Sequence, residues 1–330
     1  MNWLRRSVER QWYSRPDWLW LLLPLVWLFV GLAAIRRVRQ RRASCQSSLP
    51  VVVIGNINVG GTGKTPIIIA LAKALKQAGR NPVIISRGYG ARDTSVRQLP
   101  ANAAADEYGD EPVLIAESTG CRVVVGADRV ATARYATENQ LGDVILSDDG
   151  LQHYRLGRTW EVAVIDGKRR LGNGWRIPMG PLREAPGRLR EVDAVLINGA
   201  AFNESWLPQN KTFTTSLKPV GWRHIASGRV VPLAELDLQN ASALAGIGNP
   251  QRFFTTLHGL GFEGATFEFP DHHHFTAGDL RQFQNVRLLM TEKDAVKVRA
   301  FAAQDWWALV VEVSIPDALL DRLIQALPKH

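Results

Sequence analysis

The sequence predicts an α/β protein with a doubly wound, mainly parallel sheet, a second, smaller α/β domain, and a hydrophobic helix at the N-terminus. Short apolar runs alternate with helix-compatible stretches along most of the 330 residues, as in parallel sheets covered by helices. The alternation loosens over the polar stretch 200–230 and then resumes, and residues 18–35 carry no charge. These observations divide the chain into an N-terminal anchor (1–42), a larger domain (43–225) and a smaller one (226–330). The last strand is free to belong to either domain.

The N-terminal segment has the features of a membrane anchor. Its 18 uncharged residues reach roughly 27 Å at about 1.5 Å each, at the short end of a bilayer span. Trp18, Trp20 and Trp27 supply interfacial rings. A cleaved signal is the weaker interpretation because Arg36-Arg37 follows instead of a small-residue cleavage site. A buried helix of a soluble protein is the other alternative, and the sequence leaves open whether the helix spans the bilayer or lies in one leaflet. The flanking arginines are Arg5, Arg6, Arg10 and Arg15 before it, and Arg36, Arg37, Arg39, Arg41 and Arg42 after it.

The positive charge of the chain is confined to this end. Nine arginines oppose Glu9 and Asp17 within residues 1–42, whereas the remainder carries 31 basic and 29 acidic groups. A surplus at one end favours a membrane surface over nucleic acid as the partner. Cys45 and Cys121 form no metal-binding or redox spacing, which fits a reducing cytoplasmic compartment. No feature points to an obligate protein partner.

A glycine-rich turn after the first apolar run predicts an ATP site of the P-loop type. The run 50–55 is typical of a buried strand, 65–78 is predicted as a helix, and GGTGKT lies between them. Such a turn offers backbone N–H groups to phosphates, while Lys64 reaches the β and γ phosphates and Thr65 offers its hydroxyl to Mg²⁺. Asn58 replaces the first glycine of the usual pattern. The predicted nucleotide-binding residues are Asn58, Val59, Gly60, Gly61, Thr62, Gly63, Lys64 and Thr65.

Two acidic motifs follow the glycine-rich turn along the sequence. The run 143–147 ends in Asp148-Asp149, which predicts carboxylates beside the P-loop that hold Mg²⁺ together with Thr65. Asp110 precedes a predicted helix, so it either caps that helix or accepts a proton from an attacking hydroxyl. The spacing alone favours the cap.

Two further segments leave alternatives open. PDHHHFT (270–276) suggests either a metal site or a histidine that pairs with an aspartate across the cleft between the domains; adjacent histidines rarely converge on one ion, which favours the pair. The Arg-, Gly- and Pro-rich stretch 168–190 is either a solvated linker or a loop that binds an anionic substrate or closes over ATP.

Nine motifs, in order between residues 55 and 297, together resemble the tetraacyldisaccharide 4′-kinase family of lipid A biosynthesis. The motifs are GNINVGGTGKTP, SRGYG, YGDEP, VGADR, SDDGLQH, MGPLREAP, GIGNPQRFF, FPDHHHF and TEKDAVK. The resemblance implies transfer of the ATP γ-phosphate to the 4′-hydroxyl of a lipid-linked glucosamine disaccharide 1-phosphate, giving lipid IVA. It implies ATP and Mg²⁺ as cofactors and a site at the cytoplasmic face of an inner membrane.

The resemblance also assigns expected roles. Lys64 is expected to act in catalysis from the phosphate loop, and Asp110 is expected as the general base, supported by His272 with Asp271 beside it. The residues expected at the site with less defined roles are Arg129, His153 and Glu184.

A membrane-associated P-loop ATPase that partitions or regulates a partner is the alternative function. Such proteins share GGTGKT-like loops but typically carry a signature lysine where Val59 stands here. A guanine-specific NKxD motif is not matched by TEKD (291–294). Labelled phosphate appearing in a lipid, rather than ATP hydrolysis stimulated by a protein, distinguishes the kinase from this alternative.

Overall fold

Two β-sheets form the body of the protein in the computed structural model, which describes residues 2–328 and the side chains from residue 7 onward. Arg5 and Arg6, counted above among the flanking arginines, therefore have side chains outside the described part. The first sheet has strand order β3-β4-β2-β5-β1-β6-β7-β8, and every neighbouring pair is parallel except β3 with β4. Its strands are β1 (Val51–Gly55), β2 (Pro82–Ser86), β3 (Arg97–Gln98), β4 (Arg122–Val125), β5 (Val144–Asp148), β6 (Trp160–Asp166), β7 (Ala194–Asn198) and β8 (Thr212–Thr215).

Helices cover both faces of this sheet, as the continuous apolar strands predicted. Alternate residues of β1 enter two different cores: Val52 and Ile54 pack on one face, Val51 and Val53 on the other. The doubly wound, mainly parallel prediction is confirmed. The helices of this domain are α3 (Lys64–Gln77), α4 (Ala105–Tyr108), α5 (Asp110–Thr119) and α6 (Arg129–Glu138).

The second sheet is mixed and smaller. Its order is β10-β9-β14-β13-β11-β12, in which β9 is antiparallel to β10 and β14 and the other neighbouring pairs are parallel. Its strands are β9 (Leu217–His224), β10 (Val230–Val231), β11 (Ser242–Ala245), β12 (Thr266–Glu268), β13 (Leu288–Thr291) and β14 (Trp306–Val313). Its helices are α7 (Pro250–Gly259) and α8 (Glu292–Val298).

The chain crosses between the domains twice. The predicted boundary at 225/226 lies after β9, whereas β9 already pairs in the second sheet. The last strand, β14, stays in the second sheet between β13 and β9. The helix after it, α9 (Asp317–Ala326), returns instead and buries Leu319 and Leu323 in the core of the first domain.

The N-terminal segment folds as two helices that lie against the first domain. These are α1 (Asn2–Trp12) and α2 (Leu23–Arg42), joined through a 3₁₀ turn at Trp18–Leu22. Residues 18–42 form a segment that is long and apolar enough to cross a membrane. Of the most apolar 18 consecutive residues in this segment, 11% are buried in the protein. That exposure does not fit the alternative of a soluble-core helix. One narrow side nevertheless packs on the protein, where Leu19 and Val26 cluster with Met179.

Candidate active site

A cavity of about 1620 Å³ opens where the two domains and the N-terminal helices meet. Its wall includes Leu32 and Arg36 of α2, Lys64 at the start of α3, and His272 from the second domain. The carboxyl ends of β1 and β5 meet at this cavity because parallel neighbours end at the same sheet edge. Most of the predicted site residues line this space; Asn58 and Asp110 are buried directly behind its wall.

The glycine-rich loop enters α3 through strained turns that glycine tolerates. Gly60 has φ +110° and Gly63 has φ +81°, and Lys64 is the first residue of α3. Asn58, which replaces the usual first glycine, is buried and forms a bridge with Leu182. A side chain is therefore accommodated at this position without closing the phosphate cradle.

The acidic pair lies beside this loop. Asp148 is in register with Ile54 of β1, and its Oδ2 accepts a hydrogen bond from the Ser86 hydroxyl at 3.0 Å. Asp149 follows in a left-handed conformation (φ +48°), which turns it toward Lys64 Nζ at 3.3 Å from Oδ1. Arg183 contacts its other oxygen at 3.2 Å. Sequence and structure thus agree on two carboxylates at the P-loop.

The two carboxyls have opposite electrostatics. Burial, together with Glu111 and Asp149, raises the pKa of Asp148 to about 7. Burial also opposes ionisation of Asp149, but Lys64 and Arg183 outweigh it and hold the pKa of that carboxyl well below its usual range. Asp148 Oδ1 is buried and has no hydrogen-bond partner among the described residues. The pair therefore leaves a buried carboxyl oxygen without a hydrogen-bond partner next to the phosphate loop.

Arg129 and His153 lie behind the acidic pair. The Arg129 guanidinium is buried and donates hydrogen bonds to the Asp148 backbone carbonyl at 2.9 Å and to Gly126 O at 3.1 Å. Burial and then Arg129 lower the pKa of His153 to about 4, so its ring is neutral at physiological pH. Both residues line the cavity.

Glu184 lies toward α2 rather than the phosphate loop. Its carboxylate accepts hydrogen bonds from Gln152 Nε2 at 2.7 Å and from the Tyr154 hydroxyl. Arg37 of α2 approaches it at 3.8 Å. Burial, and then the negative charge of Glu184, raise the pKa of Tyr154 to about 12.

Asp110 and His272 meet across the domain cleft. Asp110 opens α5, is buried, and lies 3.1 Å (Oδ2) and 3.2 Å (Oδ1) from His272 Nδ1. His272 has a φ of +58°, which is unusual for a non-glycine residue. Such strained backbone conformations are common at functional sites, where a side chain must be held in one orientation. Asp110 Oδ1 also accepts from the Glu111 N–H at 2.8 Å. Asp110 thus lies at the helix end and also contacts a histidine of the other domain, an arrangement compatible with both of its interpretations.

The neighbouring histidine motif does not converge on a metal position. Asp271 Oδ1 accepts the backbone N–H of His272 at 3.1 Å, which fixes the turn. His273 points the other way, between the rings of Phe269 and Phe275. Across residues 2–328, no group of three histidine, cysteine or acidic side chains is arranged to hold a metal ion.

The stretch 168–190 is packed and is not a solvated linker. Leu171, Met179 and Leu182 are buried, because the stretch folds back between α1 and the first sheet. Arg183 reaches Asp149, and Arg169 donates to Gly248 O of the second domain at 3.1 Å. The stretch therefore forms one wall of the cavity.

Three residues that the sequence prediction missed brace the phosphate loop. Asn198 Nδ2 donates to Thr62 O at 2.8 Å, and its Oδ1 accepts from Arg252 at 2.7 Å. Arg252 also reaches Asp166 Oδ2 at 3.4 Å. A signal existed: Asp166 and Asn198 each end a predicted strand at the P-loop edge, and Arg252 lies in GIGNPQRFF.

The N-terminal segment also touches the phosphate loop. The Tyr13 hydroxyl donates to Val59 O at 3.5 Å, and the Arg169 guanidinium lies 5.0 Å from its ring centroid. Trp12 Nε1 donates to Pro178 O at 3.0 Å. No sequence pattern indicated this contact, because it joins residues far apart in the chain.

Comparison with known proteins agrees with this geometry. The family described as tetraacyldisaccharide-1-P 4′-kinase matches residues 18–328. The chain is 43% identical over 329 residues to the tetraacyldisaccharide 4′-kinase of Methylobacillus flagellatus, covering 98% of this chain and 96% of that one. It is 44% identical over 331 residues to that of Dechloromonas aromatica, covering 98% of each.

A solved structure has the same fold. LpxK from Aquifex aeolicus, crystallised in complex with ATP, matches with a TM-score of 0.80 and 25% identity, covering 94% of this chain and 100% of that one. The confirmed fold, the ordered motifs, the family match and the full-length relatives agree: the chain belongs to the tetraacyldisaccharide-1-P 4′-kinase family.

Proposed function

We propose that this protein transfers the γ-phosphoryl group of ATP to the 4′-hydroxyl of a tetraacyldisaccharide 1-phosphate, giving lipid IVA, at the cytoplasmic face of an inner membrane. The observation that carries the proposal is one cavity whose wall includes the P-loop, His272, which contacts the buried Asp110, and the exposed apolar helix α2. A kinase for a lipid needs a phosphate cradle, a base and a path from the membrane in one place. The family is a kinase family, so the regulatory ATPase alternative is set aside.

The nucleotide is assigned to the loop Asn58–Thr65. Backbone N–H groups of this loop and the N-terminus of α3 favour phosphate oxygens. Lys64 supplies a cation that Asp149 holds at the cradle, 3.3 Å away. Asn198 fixes the loop from the end of β7 through its bond to Thr62 O.

Mg²⁺ fits the donor set beside this loop. Asp148 carries an orphaned buried carboxylate oxygen, and a cation there would favour the ionised form of a carboxyl whose pKa burial has raised. We assign Asp148, Asp149 and the Thr65 hydroxyl to the metal, since carboxylate and hydroxyl oxygens are the donors that Mg²⁺ prefers. When bound, the ion neutralises charge on the β and γ phosphates.

Asp110 is assigned as the general base. Its carboxylate takes the proton of the 4′-hydroxyl as the hydroxyl oxygen forms a bond to the γ-phosphorus; the bond from that phosphorus to the bridging oxygen breaks, and ADP leaves with those electrons. Burial opposes the charged form, but the hydrogen bond from His272 and the charges of Lys293 and Lys297 lower the pKa of Asp110 below its ordinary value. The base is therefore ionised before the acceptor arrives.

The remaining assigned residues support this arrangement. Arg129 holds the end of β5 through the Asp148 carbonyl, and His153 packs as a neutral ring beside it. Asp271 fixes the turn that presents His272. Glu184 faces the end of the cavity nearest α2, where Arg37 lies 3.8 Å from it.

We place α2 in the plane of the membrane rather than across it. Val26 near its start packs on Met179, and Arg41 near its end pairs with Glu191 at 2.9 Å. These contacts span 15 residues, or roughly 22 Å, along the protein surface. A helix held to the catalytic body over that length does not cross a bilayer that excludes the body. The side it turns outward is apolar: Leu25, Leu28, Leu32 and Ile35 are exposed, as is Leu21 in the 3₁₀ turn before the helix.

A direct assay tests the proposal. Purified protein is incubated with γ-labelled ATP, Mg²⁺ and the disaccharide 1-phosphate in mixed micelles, and the lipid product is weighed by mass spectrometry. We expect one added phosphate on the acceptor and none on the analogue that lacks the 4′-hydroxyl. Label released only as inorganic phosphate would contradict the kinase assignment and return the ATPase alternative.

A further inference from the structure

Lys293 is the centre of an ionic cluster that connects both halves of the Asp110–His272 pair. It lies in the first turn of α8, and its Nζ is 2.9 Å from Glu111 Oε1 and 3.4 Å from Asp271 Oδ1. The same nitrogen lies 3.5 Å from His272 Nε2 and 3.9 Å from Asp110 Oδ2. The cluster joins one domain to the other through a single ammonium group.

This ammonium is buried yet charged. Its side chain is 14% exposed. Burial alone would lower its pKa, but Glu111, Asp110 and Asp271 outweigh burial and raise the pKa above the ordinary value. Lys293 is therefore a permanent cation at the working pH, and it has three donors and no acceptor.

Lys293 can only donate hydrogen bonds, and this restricts which nitrogen of the His272 ring carries the proton. Because Nζ of Lys293 faces Nε2 of His272 at 3.5 Å, the contact favours Nε2 as the unprotonated ring nitrogen. The ring proton then lies on Nδ1, where it points at Asp110. Asp271 Oδ1, 3.8 Å from Nε2, would favour the opposite tautomer, but Lys293 is closer to Nε2 and occupies the same carboxylate.

We propose that Lys293 is a positioning residue of the phosphoryl transfer, which holds His272 as its Nδ1–H tautomer and favours the ionised form of Asp110. The inference rests on the proposed role of Asp110 as the base. In this arrangement His272 donates to the carboxylate and leaves the other carboxylate lone pairs free for the acceptor hydroxyl. Lys293 contacts the pair and need not touch the substrate.

The other groups around Asp110 do not substitute for Lys293. Lys297 of α8 is 4.0 Å from Asp110 Oδ2 but already pairs with Asp294 at 2.6 Å. Glu111, next in the chain, is an anion. The Tyr89 ring packs at a tilt against the His272 ring, with 4.4 Å between the ring centroids. The polar contacts of the His272 ring are therefore made through its two nitrogens.

The helix pair α5 and α8 supplies a matched control. Six positions after Glu111 and Lys293, Glu117 near the end of α5 forms a bidentate ion pair with Arg299, which directly follows α8; the second bond of the pair is 2.6 Å long. That pair bridges the same two domains but reaches none of the reacting groups. Its loss reports what a domain-bridging ion pair contributes by itself.

The test compares Lys293→Met, Lys293→Arg and Arg299→Met with the unaltered protein. Steady-state rates are measured against ATP and the disaccharide 1-phosphate from about pH 3.5 to 9, a range that includes the ordinary carboxyl pKa, and ¹⁵N chemical shifts of His272 are recorded without substrate. We expect Lys293→Met to lower kcat about 10²-fold with KM for ATP changed less than about threefold. Loss of the cation raises the pKa of Asp110, so the acidic limb of the pH profile moves up by about one pH unit. Lys293→Arg should recover part of kcat, and Arg299→Met should change neither kcat nor the limb.

The chemical shifts separate this inference from the proposed function. An Nδ1–H signature in the unaltered protein, lost in Lys293→Met, supports the positioning role even if the acceptor proves to be a different lipid. An Nε2–H signature in the unaltered protein overturns the inference, whether or not any variant folds. So does an Arg299→Met variant that reproduces the kinetic loss, because the effect would then be domain bridging alone. Failure of the unaltered protein to phosphorylate the disaccharide would instead contradict the proposed function.

Discussion

Replacing three exposed leucines, one in the 3₁₀ turn before α2 and two in α2, with serine should release the protein from membranes. Leu21, Leu25 and Leu28 are 80%, 50% and 58% exposed, so each still has half or more of its surface to bury in lipid. Full burial of a leucine contributes about 1.5–3 kcal/mol, which gives about 3–5 kcal/mol for the three partly exposed side chains. At 1.4 kcal/mol per factor of ten, the membrane partition coefficient should fall about 10²–10³-fold.

Vesicle flotation at 0.15 M and 1 M salt measures that partition. Salt screens the arginines but not the leucines, so the unaltered protein should float in both conditions and the triple variant in neither. Val220→Ser with Val230→Ser is the matched control, because these valines are 42% and 53% exposed but lie in the second domain. A triple variant that floats like the unaltered protein would refute the in-plane placement of this helix side.

Three other outcomes follow from the site. Lys64→Ala should lower turnover about 10²–10³-fold with unchanged thermal unfolding, since it removes the cation at the transferring phosphoryl group; near-normal lipid phosphorylation would refute the P-loop assignment. Asp110→Ala and His272→Ala should each lower kcat about 10²–10⁴-fold, and the double variant should lose little more than the worse single one; fully multiplicative losses would reject a coupled pair. His153 should make the free energy of unfolding rise between pH 4 and 6.5 by up to about 3 kcal/mol, because over that window the unfolded chain binds a proton that the folded one does not. Urea unfolding at both pH values checks this, and a His153→Gln variant with the same pH dependence would contradict it.

Local sequence patterns predicted those parts of the site whose residues lie close together in the sequence. The strand, glycine turn and helix from Val51 to Gln77 and the acidic end of β5 follow from periodicity and composition alone. The same patterns left Asp110 between two roles, because its partner lies 162 positions away. The histidine motif predicted a pair with an aspartate across the cleft, and the family resemblance identified that aspartate as Asp110.

Contacts between domains were beyond the reach of such patterns. The pairing of β9 with β14 places two antiparallel strands in a sheet whose strand-helix alternation indicated parallel ones, and α9 crosses back to the first core. Lys293 lay in a recognised motif, TEKDAVK, but its chemistry depends on Glu111 in the other domain. The arginine-rich stretch 168–190 has a linker's composition, but its leucines pack in a core of the first sheet and Met179 packs with Trp12 of α1, which are contacts distant in the chain.

The contact of Tyr13 with Val59 has a practical consequence for work with this enzyme. Removing residues 1–42 to obtain a protein that needs no detergent would also remove the Tyr13 hydroxyl from the phosphate loop and the Trp12 bond from Pro178. The stretch that carries Pro181, whose carbonyl accepts the Val59 N–H at 2.7 Å, would lose its outer support. We therefore expect truncation to weaken ATP binding along with the gain in solubility. A soluble form is better obtained by replacing the exposed apolar residues of α2 with polar ones than by removing the helix.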